Sequence, residues 1–201
     1  MRMSNRRIST RDAAEGFLRT AERVAPLSKE AAREIANLLE PRTFVTGSYL
    51  LRSGERAEWC HYLAAGIVRE LYVAADGAEH TRSFIAEGDV TGSLIDLLSG
   101  QPSITFIEAI EETSTLAFRH RDLEQIAVRH PEVQLLMRRW AEQLYVRKTR
   151  REHDMLALTA AVRHANWLAQ YGPIDKRVRR RDLASYLGIT PEHLSRLRRR
   201  R

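Results

Sequence analysis

Apolar residues recur at helical spacing near both ends of the chain and at strand spacing between them. Residues 10–24 and 28–39 read as helices. The second has Ser28 as its cap and carries Ala32, Ile35, Ala36, Leu38 and Leu39 on one side, until Pro41 stops it. From Arg42 to about Phe118 the period shortens. TFVTGSYLLRSGE reads as two short strands around Gly47–Ser48. Residues 60–64, 67–73 and 79–85 alternate or run apolar, with turns at Ala65–Gly66 and Asp76–Gly77, the latter a hairpin signal. A short helix is expected at 93–98, and the last strands at 104–109 and 114–118. Many short antiparallel strands predict a closed, jelly-roll-like β-roll.

Helical spacing then returns. Residues 121–127 form a small helix, and Pro131 opens a long one running to about residue 153. Val133, Leu136, Met137, Trp140 and Leu144 make its apolar stripe, which is expected to be a dimer seam. Another helix is expected at 156–171, broken by Gly172–Pro173, with residues 176–179 extended.

The stretch DLASYLGITPEHLSRLRR, residues 182–199, reads as two short helices joined by a tight turn. Leu183 and Leu187 share one face, four residues apart. Small Ala184 admits a second helix, and Gly188 stands where a helix ends with positive φ. Thr190 is a good N-cap, Pro191 a good first helical residue and Glu192 an acid in the first turn. Leu194 and Leu197 point inward, which leaves Glu192, Ser195, Arg196 and Arg199 on the opposite face. That ridge suits a major groove, where Arg meets guanine and Glu meets cytosine. With Arg180, Arg181, Thr190, His193 and Arg200 it forms the candidate DNA-contact set.

Charge sharpens this picture. Residues 172–201 hold ten Lys/Arg and three acids, so this segment carries the whole formal charge of +7. A neutral body with a basic end is the electrostatic footprint of a nucleic-acid binder. With 43% hydrophobic and 29% charged residues, the 201-residue chain can bury a core. No apolar run reaches membrane-helix length, and no apolar segment follows the basic start to make a signal peptide. The single cysteine, Cys60, excludes internal disulfides and four-cysteine metal sites within one chain. A cytoplasmic setting is expected.

The order of roll, long helix and helix-turn-helix resembles the Crp–Fnr family of bacterial transcription regulators. The resemblance rests on YLLRSGE at Tyr49, GIVRELYV at Gly66, EGDVTGSL at Glu87, IEAIEETSTLAF at Ile107 and the stretch from Asp182. It implies an α+β fold: an N-terminal antiparallel β-roll of the cyclic-nucleotide-binding type with flanking helices, a long dimerisation helix, and a C-terminal winged-helix-like helix-turn-helix domain. The boundaries are then 1–27 for the N-terminal tail and helix, 28–128 for the roll, 129–154 for the long helix and 155–201 for the DNA-binding unit. The resemblance also implies a homodimer on a near-palindromic operator, RNA polymerase as a further partner, and base reading by Glu192 and Arg196. The chain stops soon after that helix, so a terminal wing hairpin is expected to be absent or minimal.

Effector-pocket candidates are Arg82, Gly88, Asp89, Ser103 and Ile104. Cyclic-nucleotide binders of the family use an arginine followed by a small hydroxyl residue to hold the cyclic phosphate; Ser103–Ile104 stands there instead, so cyclic AMP is not the expected effector. No cofactor or metal is expected. The seven histidines contain no His-x-His pair, which weighs against the alternative of a cupin-like metal-dependent enzyme with a basic tail. No nucleophile elbow or phosphate-binding Gly-rich loop is present. A third alternative is a scaffold whose roll binds nothing.

Overall fold

A computed structural model of the chain describes residues 9–199. Helix α1 (Thr10–Val24) starts where the Ser9 hydroxyl accepts from the Asp12 N–H, 3.1 Å away. Helix α2 (Lys29–Asn37) starts in the same way at Ser28. Eight strands follow: β1 (Glu40–Phe44), β2 (Tyr49–Leu51), β3 (Trp59–Ala65), β4 (Ile67–Val73), β5 (Glu79–Ala86), β6 (Val90–Thr91), β7 (Phe106–Ala109) and β8 (Thr113–Arg119), with helix α3 (Leu94–Ser99) between β6 and β7. They make two antiparallel four-stranded sheets, ordered β1-β8-β3-β6 and β2-β7-β4-β5. This is the expected roll. The β3–β4 turn needs a glycine, because Gly66 has φ 92° and a Cβ there would lie 2.6 Å from the Glu112 carbonyl oxygen.

Leu51, Leu63, Val68, Ile85 and Ile107 fill the space between the sheets. His61 is buried beside them, with its ring against Phe44 and Nδ1 3.2 Å from the Thr115 hydroxyl. Burial, helped by the charge of Arg42, pushes its pKa down from 6.5 to about 4. The unfolded chain therefore takes up this proton first on acidification. Stability present above pH 6.5 is lost as the pH falls toward 4, by roughly 3 kcal/mol if His61 dominates. Urea midpoints at pH 7.5 and 5 should separate in the wild type and converge in His61→Gln.

After the roll come α4 (His120–Arg129) and α5 (Pro131–Ala157). The apolar stripe of α5 lies against its own chain, which corrects the expectation that it needs a partner surface. Val133 and Leu136 are fully buried, and Met137 and Trp140 are packed on α1 and the roll. Phe17 of α1 supplies the cover, 6.0 Å from the Trp140 ring and 5.4 Å from Tyr62. Leu144, the fifth stripe residue, lines a cavity. The exposed apolar groups of α5 are instead Tyr145, Val146, Met155 and Leu156.

Helix α5 runs to Ala157. Thr159 then caps α6 (Ala160–Tyr171), so residues 156–157 belong to the long helix rather than to the next one. A 3-10 turn at Gly172–Ile174 and further turns replace the extended segment expected at 176–179. The chain ends in α7 (Arg180–Leu187) and α8 (Pro191–Arg199).

Candidate nucleic-acid interface and its neighbouring cavity

The turn between α7 and α8 is built by local rules. Gly188 adopts φ 65°, and the N–H groups of Gly188 and Ile189 bond back to Ser185 and Ala184. Thr190 then accepts from the His193 N–H at 3.2 Å and starts α8. Leu183, Ala184, Leu187 and Leu194 are buried with Trp167 of α6, and Ile189 packs beside them. The two helices are thereby held at a fixed angle.

The opposite face is open. Arg180, Arg181, Thr190, Glu192, Arg196 and Arg199 are exposed, while His193 and Ser195 are half-buried. Arg180 donates to Ser195 at 3.2 Å and so ties α7 to α8. The Glu192 carboxyl is held below the usual range by its own backbone N–H and the Thr190 hydroxyl, with Arg196 adding to the effect. It is thus an ionised acceptor at a helix N-terminus. Arg200 lies outside the described residues. The charge of this segment is not all free to face DNA: of its ten Lys/Arg, three outside the candidate contact set pair with acids of the chain, and Arg181 within the set lies 3.5 Å from Asp182. Arg177 pairs with Glu87 and Glu111, Arg179 with Glu108 and Asp182, and Arg198 with Asp175.

The helix-turn-helix is docked on the roll. Arg69 of β4 is 2% exposed; its Nε donates to Glu108 at 2.5 Å, its Nη1 to Asp182 at 3.0 Å, and its Nη2 to Glu79. Arg179 donates to the other oxygens of Glu108 and Asp182, at 2.9 and 2.5 Å. Nearby, the Ser185 hydroxyl accepts from the Thr81 N–H and donates to the Glu79 carbonyl. It thereby occupies backbone groups of edge strand β5 that would otherwise be left open. Phe84 and Ile67 of the roll share a core with Trp167 and Leu183. At the other end of α7, Arg151 of α5 donates to the Tyr186 carbonyl and lies 4.0 Å over its ring, and Arg163 donates to the Leu187 carbonyl at 3.0 Å. So α7 is fixed at both ends, to the roll at one and to α5 and α6 at the other. No local pattern signals this, since Arg69 sits in GIVRELYV as one of two charged residues in a strand.

A cavity of about 440 Å³ lies between the roll, α3, α5 and the base of α7. Leu94, Leu97, Leu144, Met137 and Trp140 line it, together with Arg151 of α5 and Tyr186 of α7. Of the effector-pocket candidates, Arg82 and Asp89 line this cavity; Gly88, Ser103 and Ile104 do not. Arg82 is held by Tyr72 and Glu70, and Asp89 by Arg147 at 2.7 Å. Gly88 is a turn residue whose N–H bonds to the Leu63 carbonyl. Ser103 is buried and donates to Asp96 at 2.6 Å, and Ile104 faces solvent. Cys60 also borders the cavity, but burial pushes its thiol up to about 12, so it carries no thiolate for redox sensing.

Among the described residues no group of three or more His, Cys, Asp or Glu converges as metal ligands would. His61 and His80 lie on different sheets. No described helix is long and apolar enough to cross a membrane.

Comparison with known proteins agrees with this architecture. The cyclic nucleotide-binding domain family matches residues 41–130. The fumarate and nitrate reduction regulatory protein of Yersinia pestis is 22% identical over 183 residues, covering 85% of this chain and 72% of that protein. The structure of FixK2 from Bradyrhizobium japonicum superposes with a TM-score of 0.68 at 25% identity, covering 81% of this chain and 83% of that one. The catabolite activator protein of Thermus thermophilus shares the fold, with a TM-score of 0.56 at 20% identity over 90% of this chain and 85% of that one. A cyclic-nucleotide-binding-type roll, joined by a long helix to a helix-turn-helix, defines a DNA-binding transcription regulator. The chain is similar to regulators of the Crp–Fnr type. The comparisons give the cupin-like alternative no support.

Proposed function

We propose that the chain acts as a cytoplasmic homodimer that reads a near-palindromic operator through Glu192 and Arg196, is not an enzyme, and is controlled by an effector other than cyclic AMP in the cavity beside α5. The observation that carries this is the solvent-facing Glu192–Arg196 pair on a helix whose other face is locked into a core. Arg180, Arg181, Lys176 and Arg199 flank it as phosphate contacts. Two-fold dimers of this motif place their half-sites about one helical turn apart. The exposed face of α5 with Tyr145 and Val146 is where the second copy packs, and RNA polymerase is the further partner that the family implies. Cyclic AMP is disfavoured because Arg82, the roll arginine that lines the cavity, is already engaged by Glu70 and Tyr72.

The test is operator selection from a random-sequence DNA library, followed by binding measurements. Arg196→Ala should cost about 1–3 kcal/mol on the selected operator, roughly a 5- to 150-fold loss, and little on random DNA. Equal losses on both would remove Arg196 from base reading.

A further inference from the structure

We propose that the cavity beside α5 takes an amphipathic monocarboxylate, an apolar chain with one carboxylate head, and that Lys148 is the group that receives the head. The inference rests on the reading of that cavity as the effector site and names what it would hold.

The cavity has the size of a small-molecule site, about 440 Å³. Apolar side chains of α3 and α5 line it: Leu94 and Leu97 from the first, Trp140 and Leu144 from the second. Such walls reward burial of a hydrocarbon body in proportion to its area.

Its polar groups are engaged with one another, with one exception. Glu70 accepts from Ser83 at 2.7 Å and Thr91 at 3.0 Å and pairs with Arg82 at 3.4 Å. Asp96 of α3, whose charge acts on Lys148, accepts from Ser103 at 2.6 Å. Arg147 is taken by Asp89, and Arg151 by the Tyr186 carbonyl. Among the buried and half-buried charged groups lining the cavity, Lys148 alone makes no hydrogen bond or ion pair within the described residues. Desolvation lowers its pKa, and Arg82 lowers it further, whereas Glu70 and Asp96 raise it. An anionic ligand group would remove this cost by giving the ammonium a direct partner.

The same surroundings limit the ligand. Lys148 is one unengaged cation and can pair with a single negative charge, while the nearby acids Glu70 and Asp96 repel a second. A sugar ring would need donors and acceptors, and those of Glu70, Ser83 and Thr91 are bonded to each other. A carboxylate on an apolar chain meets both conditions. It would also lie against Arg151 and Tyr186, which fix one end of α7, so occupancy reaches the DNA-reading helices through packed side chains.

The experiment uses the full chain and calorimetry below micelle concentration. Its probes are the saturated fatty acids from octanoate to hexadecanoate, their matching alcohols, and cyclic AMP. Operator affinity is measured alongside. One acid of the series should bind at least about tenfold tighter than its alcohol, as a charge-assisted contact predicts. Lys148→Met should abolish that preference while keeping the alcohol's affinity, and Lys148→Arg should retain it. Equal binding of acid and alcohol in the wild type, or an acid preference that survives in Lys148→Met, would overturn the assignment of ligand class and leave the effector site standing. Cyclic AMP binding without acid binding would overturn the class as well. Binding of no probe, with operator binding intact, would overturn both the class and the effector cavity while leaving the DNA-binding reading untouched.

Discussion

Arg69→Met is expected to lower the stability of the protein by about 3–5 kcal/mol, the usual cost of stranding one side of a buried ion pair. Glu108 and Asp182 are 4% and 1% exposed, and each loses a direct partner, leaving Arg179 on both and Arg181 3.5 Å from Asp182. The loss should fall on the junction between roll and helix-turn-helix, so a single urea transition should split into two. Asp182→Leu added to Arg69→Met should recover part of the loss, because it removes one stranded charge and leaves an apolar group beside Leu183. An unchanged midpoint in Arg69→Met would show that the cluster does not hold the two units together. Acid should act on the same junction in the wild type. The Arg69 guanidinium holds the Glu79 carboxyl below its usual 4.5. A carboxylate lowered by folding contributes stability above its unfolded value and loses it as the pH falls through the folded value. Acidification below about pH 4.5 should therefore loosen the dock in the wild type, and that component should be smaller in Arg69→Met, where Arg181 and Arg179 alone still favour the Glu79 carboxylate.

Phe17→Ala should cost a comparable amount, about 3–5 kcal/mol. The ring is fully buried between Tyr62, Phe118 and Trp140, at 5.4, 5.5 and 6.0 Å. Its removal leaves a cavity where α1 meets the apolar stripe of α5. The same geometry changes what a charge at Trp140 would do. Trp140→Glu should unfold the protomer rather than release folded monomers, because Trp140 packs on its own α1 and roll. The assembly test moves to the other face of α5. Tyr145 is 70% exposed, so Tyr145→Glu should leave the urea midpoint near wild type while weakening the proposed homodimer in light scattering. A Phe17→Ala protein as stable as wild type would show that α1 is not what covers the stripe.

The readability of the chain follows the range of the interactions involved. The helix-turn-helix could be read from sequence because each of its determinants is local. Gly188 is needed where φ is positive, Thr190 caps within three residues, and Leu183 and Leu187 share a face by helical geometry. The roll could be read because its strands alternate and its turns carry Asp76–Gly77 and Gly66. Even the outward face of Glu192 and Arg196 follows from the period alone. Local pattern fixes which face of a helix is apolar, but not what covers it. The stripe of α5 therefore pointed to a second copy in the sequence and to Phe17, more than a hundred residues away, in the fold. Charge shows the same limit. Composition counts arginines, but only the fold separates Arg177, Arg179 and Arg198, spent on internal carboxylates, from Arg196 and Arg199, which face solvent. Arg69 and Asp182 are 113 residues apart, and no periodicity links them. Their pairing was decided by the docking of α7 on the edge of β5, where a buried charge must find a counter-charge or the dock does not form.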